Sequence, residues 1–148
     1  KAGMKPGTIF MNATENEPTE DDINKFQTDI DDNVITIERV RTADGEPVVY
    51  CIDKVPAKYL PKQFLENEDL SLFSALEKSG NMRIAYAVTY IDTVGYHETV
   101  SPILKCGPEA SLLVLKQLHY DDNDQVVLYS KNYFRADKFS FHVVRKRV

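Results

Sequence analysis

The chain has 148 residues, a net charge of −5 and a pI near 5.2, with 43% hydrophobic and 28% charged residues. That is the size of one ordinary domain able to bury a core, and its acidity argues against this piece gripping a phosphate backbone. Two distant cysteines, Cys51 and Cys106, and three histidines without ligand spacing argue against a disulfide framework or a metal site.

No apolar run approaches the roughly 20 residues of a membrane span, and the polar start is no signal peptide, so the expected compartment is the cytoplasm. The chain begins at Lys1 and runs at once into Gly3-Met4-Lys5-Pro6-Gly7, which suggests a fragment of something longer. The only basic cluster, Arg145-Lys146-Arg147, reads as a solvated strand end.

In chain order, Thr8–Ala13 is a short strand. Thr19 then caps a short helix whose first turn is acidic, with Ile23 and Phe26 on one face. Val34–Thr42 and Pro47–Val55 form a hairpin about the turn Ala43-Asp44-Gly45. A proline-bracketed helical connector occupies Pro56–Glu68, and Asp69 or Ser71 caps a helix through Lys78, with Leu72, Phe73 and Leu76 inward and Gly80 ending it. Met82–Val94 is a long strand with both faces at least partly covered. His97–Leu104 is ambiguous, since Pro102 fits only the first turn of a helix.

Ser111–Tyr120 is a strand, Asp121–Asp124 a turn, and Val126–Arg135 the next strand, with the charged corner Arg135–Lys138 after it. Alternation puts Val126, Leu128, Ser130, Asn132 and Phe134 on one face of that strand and Val127, Tyr129, Lys131, Tyr133 and Arg135 on the other. A last strand is expected over Phe139–Val144. Runs of adjacent strands with interspersed helices give an α+β fold with an antiparallel sheet.

Three constellations could carry chemistry. Arg39 and Arg41 share the strand side already occupied by Ile35 and Ile37. A buried guanidinium needs an acid or a bound anion, and two planar donors two residues apart suit phosphate or carboxylate. The alternative is an exposed strand end whose arginines pair with surface acids such as Glu38. Ser71, at a helix start, either helps hold an anion or is a plain N-cap. The aromatic set Tyr86, Tyr90, Tyr129, Tyr133 and Phe134 either walls a ligand pocket or packs the core. Catalysis finds no support: no G-x-S-x-G, no H-E-x-x-H, no phosphate-loop glycine spacing, and no base beside either cysteine in sequence.

The string Y-S-K-N-Y-F-R-A-D-K-F-S-F at 129–141 resembles the closing signature of the UTRA (UbiC transcription regulator-associated) domain. Several further pieces resemble that family in order and spacing: G-M-K-P-G-T, I-E-R-V-R-T-A-D-G-E-P-V, V-P-A-K-Y-L-P, D-L-S-L-F-S-A-L and D-D-N-D-Q-V-V-L-Y-S. The resemblance covers nearly all of residues 1–148. It implies the chorismate lyase-like fold, an antiparallel sheet of about six strands flanked by helices, with lyase activity lost and a small effector bound instead. It also implies the effector-sensing half of a GntR-type, HutC-subfamily repressor, whose winged helix-turn-helix would lie outside this chain.

By the same resemblance Arg39 and Arg41 match the positions that hold the effector's anionic group, Ser71 the assisting hydroxyl, and Cys51, Phe73, Leu128 and Phe134 further pocket positions. Sugar-phosphate-binding members tend to place glutamates where Cys51 and Leu128 stand and tyrosines where Phe73 and Phe134 stand. The pocket here should be less polar, since Cys and Leu are poor hydrogen-bond acceptors. A loop bearing Thr or Ser in the family would lie upstream of Lys1. The expected ligand-binding set is thus Arg39, Arg41, Ser71, Phe73, Cys51, Leu128, Tyr133 and Phe134, with no catalytic, metal or cofactor group. The expected partners are a small anionic effector (sugar phosphate or organic acid), a second copy of the chain, and operator DNA through the absent N-terminal part, with no membrane. A chorismate lyase-like enzyme and a ligand-free dimerisation scaffold are the alternatives.

Overall fold

The hairpin that carries the arginines is built on a two-residue turn. Asp44 and Gly45 both adopt positive φ, 50° and 81°, the backbone of a type I′ turn and the reason an Asp-Gly pair suits it. In the computed structural model, which describes residues 4–26, 32–60, 72–79 and 83–147, the turn joins β2 (Val34–Ala43) to β3 (Glu46–Pro56). With β1 (Pro6–Asn16), β4 (Ile84–Val94), β5 (Leu112–Asp121) and β6 (Val126–Arg135) they make one antiparallel six-stranded sheet of order β1-β2-β3-β6-β5-β4. The expected α+β architecture is observed; β1 runs well past its expected bounds at both ends, β2 and β3 by a residue or two, and β5 and β6 keep their expected lengths.

Helices cover both faces. On one, α2 (Leu72–Ser79) lays Leu72, Ala75 and Leu76 over Ile35, Ile37, Val55 and Leu128. On the other, the single turn α3 (Val100–Ile103) packs Val100 and Leu104 against Val40, Tyr50, Val114 and Tyr133. Pro102 lies within its first turn, as its missing N–H requires. Farther along that face, α1 (Glu20–Phe26) buries Phe26 with Val34, Val126 and Tyr129. Thr19 caps α1 reciprocally with Asp22: Asp22 N–H donates to Thr19 Oγ1 at 3.1 Å and Thr19 N–H to Asp22 Oδ2 at 3.0 Å.

Several expectations need correction. Ile23 is exposed, so α1 buries Phe26 and Asp22 instead. The long strand β4 is not covered on both faces; it is the sheet edge, with only Ile84, Val88 and Val94 partly buried. Val126 does not share a face with Leu128, because the β5–β6 ladder slips between His119 and Tyr120 and turns Val126 toward Phe26. Residues 139–147 form no strand. After the corner, where Arg135 clasps Asp137 at 3.0 and 2.7 Å, Phe139 and Phe141 fold back onto Phe134 with ring centres 5.2 and 4.9 Å away. The connector over 61–71, including Ser71 and the Asp69 alternative cap, and also Gly80 and Met82, lie outside the described residues.

Candidate functional site

Cross-strand register decides which side chains share a face, because directly opposed residues point the same way. Arg39 stands opposite Cys51, Cys51 opposite Asn132, and Asn132 opposite Leu115. One row toward α2, Ile37 stands opposite Asp53 and Asp53 opposite Ser130; one row toward the hairpin turn, Arg41 stands opposite Val49 and Val49 opposite Phe134. Arg39, Arg41, Cys51 and Phe134 are thereby gathered on one face of the sheet with Asp53, Ser130 and Asn132, the face that α2 covers farther along.

Arg39 is mostly enclosed, its side chain 13% exposed, and its Nη2 lies 2.8 Å from Oδ2 of Asp53, itself 7% exposed. The other carboxylate oxygen accepts the Ser130 hydroxyl at 2.7 Å. Ser130 Oγ is also 3.5 Å from Nε2 of buried His119, whose ring packs edge-to-face on Phe73 of α2 at 5.3 Å. Burial pushes the His119 pKa down, and the Asp53 charge only partly opposes this, so the ring is neutral at physiological pH. Among the described residues, Arg39 Nε and Asn132 Oδ1 are buried and unpartnered. They stand in one cross-strand row with Cys51 between them, and a buried donor or acceptor left open is costly unless something fills it.

Arg41 is exposed and its Nη1 donates to Thr8 Oγ1 at 3.3 Å. It lines a cavity of about 420 Å³ at the hairpin end, together with Val49, Glu46, Lys138 and Phe139. Lys138, from the folded-back tail, adds a second cation there. Between the arginines, the Cys51 thiol is pushed up to about 11 by burial and by Asp53, against the pull of Arg39 and Arg41. It stays protonated near neutral pH and is no nucleophile.

Three expected members fall elsewhere. Tyr133 lies on the opposite face, buried with Tyr50, Val100 and Leu104, because it alternates with Asn132 and Phe134. Leu128 is on the right face but sealed in the core under α2. Phe73, expected inward, is 45% exposed and caps His119. The aromatic set does not form one wall: Tyr129 and Tyr133 face away from Phe134, while Tyr86 and Tyr90 stand exposed on edge strand β4. The acid expected beside a buried arginine is Asp53, which the sequence reading did not name; Glu38, the surface acid offered as the alternative, instead accepts the Tyr50 hydroxyl on the sheet's other face. The residues overlooked were Asp53, Ser130, Asn132 and His119. An acid alternating with Cys51 and Val55 on the partner strand was the available signal for the first.

An antiparallel sheet of this order flanked by helices is the chorismate lyase-like fold of GntR effector domains, and the family model described as UTRA domain matches residues 1–140. The chain belongs to the UTRA domain family. A relative from Mycolicibacterium smegmatis, the HTH-type transcriptional repressor PhnF, is 25% identical over 118 residues, which cover 78% of this chain and 48% of that protein. The chain therefore spans about half the length of this relative. The crystal structure of the PhnF effector domain from Mycobacterium smegmatis superposes with a TM-score of 0.86 at 24% identity, covering 98% of this chain and 90% of that one. A GntR-family transcriptional regulator from Enterococcus faecalis V583 gives 0.77 at 20% identity, over 95% of this chain and 100% of that chain. Both similarities show the fold. No helix of the described residues is long and apolar enough to cross a membrane.

Proposed function

We propose that this chain is the effector-sensing and dimerisation domain of a GntR-type, HutC-subfamily transcriptional regulator. It binds a small anionic effector, a sugar phosphate or organic acid, on the Arg39 face, and acts as a sensor, not an enzyme, in the cytoplasm. The observation that carries the reading is the Arg39 guanidinium, anchored to Asp53 through Nη2 while its Nε, and Oδ1 of Asn132 in the same cross-strand row, are buried and unpartnered. Asp53, itself held by Ser130, fixes the guanidinium in place, so a ligand that opened this buried edge would meet a preset donor. Arg41 and Lys138 extend the positive region toward the hairpin-end cavity. Ser71 would assist from the start of α2, as the family pattern implies.

The neutral Cys51 thiol, opposite Arg39, and the Phe134 ring on the same face have little capacity to bind sugar hydroxyls. An anion on a comparatively apolar body fits this better than an amino sugar phosphate. The net charge of −5 leaves operator DNA to another part of the protein, consistent with a repressor relative twice as long. Effector binding would shift operator affinity only through unequal affinity for the two states of the dimer. Titration of phosphorylated sugars and organic acids into the parent and Arg39→Ala is the test. Equal affinity in the two would remove Arg39 from the site, and pyruvate release from chorismate would replace the sensor with a lyase.

A further inference from the structure

The face of the sheet turned away from Arg39 concentrates positive charge of its own. Lys116 on β5 and Lys131 on β6 stand directly opposite each other in the ladder, an arrangement that repels. Lys54 on β3 and Lys25 on α1 converge on the same place, and the four line a groove of about 430 Å³ beside Tyr90 and Tyr129. Lys25 Nζ lies 4.6 Å from the Tyr129 ring centre. Three of the lysines have a carboxylate: Lys54 Nζ is 2.9 Å from Asp22 Oδ1, Lys116 Nζ 3.3 Å from Asp92 Oδ2, and Lys25 pairs with Asp21. Lys131 makes no ion pair among the described residues and rests 5.3 Å from the Tyr133 ring centre.

Four ammonium groups thus line one groove with a single carboxylate, Asp21, in a chain whose net charge is −5, while the partners of Lys54 and Lys116 lie outside the lining. Two like charges directly opposite in a ladder destabilise it unless something offsets their repulsion. We propose that this groove is a second anion site, independent of the Arg39 face, for a compact phosphorylated molecule. Lys116 and Lys131 donate to the phosphoryl oxygens; Lys25 and Lys54 supply field, and Tyr90 and Tyr129 flank the rest of the ligand. Ammonium groups, each a point charge with three donors, suit tetrahedral phosphates without demanding one orientation.

Pyrophosphate and inorganic phosphate titrated into this chain, followed by backbone amide shifts, provide the test. Saturable shifts are expected along β5 and β6 around positions 116 and 131, and they should persist in Arg39→Ala. Lys131→Gln should bind pyrophosphate about tenfold more weakly, the loss of one charge-assisted contact, and Lys116→Gln/Lys131→Gln more weakly again. Because Lys131→Gln relieves a repulsion, it should melt no lower than the parent, which separates lost binding from lost fold. Shifts that grow without saturating at about 0.15 M salt, or a Lys131→Gln variant that binds like the parent, would overturn the proposal. Saturable shifts confined to Arg39 and Asn132 would overturn it too, while leaving the effector assignment intact.

Discussion

Arg39 and Asp53 are diagonal neighbours on adjacent strands, and their ion pair of 2.8 Å is shut between the sheet and the region under α2. Such a pair gives little net stability when intact, but breaking it leaves a buried charge alone. Arg39→Ala and Asp53→Asn should each cost about 3–5 kcal/mol in urea unfolding. The double variant should cost clearly less than the two singles combined, the sign of direct coupling. Additive losses would mean the two side chains do not sense each other. Arg39→Lys, which keeps the charge and loses the planar fork, should fold and yet bind the effector about tenfold more weakly.

Asn132 and Tyr133 are adjacent in sequence and serve opposite faces. Tyr133→Ala empties a packed site beside Tyr50 and Leu104 and should cost about 3–5 kcal/mol, as large aromatic truncations do. The variant that remains folded should bind the effector as the parent does. Asn132→Ala should do the reverse, weakening the effector severalfold with little change in melting temperature. A binding defect in Tyr133→Ala at temperatures where it is fully folded would restore Tyr133 to the pocket.

His119 gives the domain a predictable acid limb. Its pKa is lowered in the folded state by burial, so the unfolded chain takes up a proton first as pH falls through about 6.5. Stability from the neutral ring is fully present above that value and is lost as pH drops toward the folded pKa. Asp22 adds a lower limb. Burial raises its pKa, but the Thr19 N–H and Lys54 outweigh this and leave it lowered, so its contribution is lost only below the ordinary carboxylate range. Unfolding midpoints measured from pH 8 to pH 5 should fall, and His119→Gln should flatten that interval. An unchanged slope in the variant would show that His119 is not the group responsible.

Much of this was written in local patterns. Asp44-Gly45 announced the hairpin, and alternation put Arg39 and Arg41 beside Ile35 and Ile37 on a buried side. What alternation could not supply was the register between strands. Counting back from the Ala43–Glu46 pair alone would set Arg39 opposite Tyr50, with Asp53 on the far face. The bulge between Arg41 and Thr42 shifts the ladder by one residue and brings Asp53 around to Arg39. The slip near His119 likewise moved Val126 to the other side. Phe139–Val144 had the composition of a strand but pairs with no strand among the described residues, and its phenyl rings pack on Phe134 instead. Tyr133 was misassigned because aromatic character was given more weight than its place in the alternation.

The edge strand β4 is where a second copy should add. From Tyr86 to Val94 its ladder to β5 is unbroken; it carries no proline and no lysine, its single charge, Asp92, is paired with Lys116, and Tyr86, Tyr90 and Ile91 are exposed. The opposite edge, β1, is blunted by Pro6 and by a bulge at Ile9. Unpaired N–H and C=O groups along a long apolar edge recruit another strand, and charge on the edge is the common way chains prevent it. Antiparallel pairing of β4 with its copy would join two six-stranded sheets about a twofold axis, so one substitution acts twice. Ile91→Lys, at a position 56% exposed, should convert a sedimenting dimer to a monomer without lowering the monomer's melting temperature. Ile9→Lys on β1, 60% exposed, should leave the dimer intact. A dimer that survives Ile91→Lys and yields to Ile9→Lys would move the interface to the other edge of the sheet.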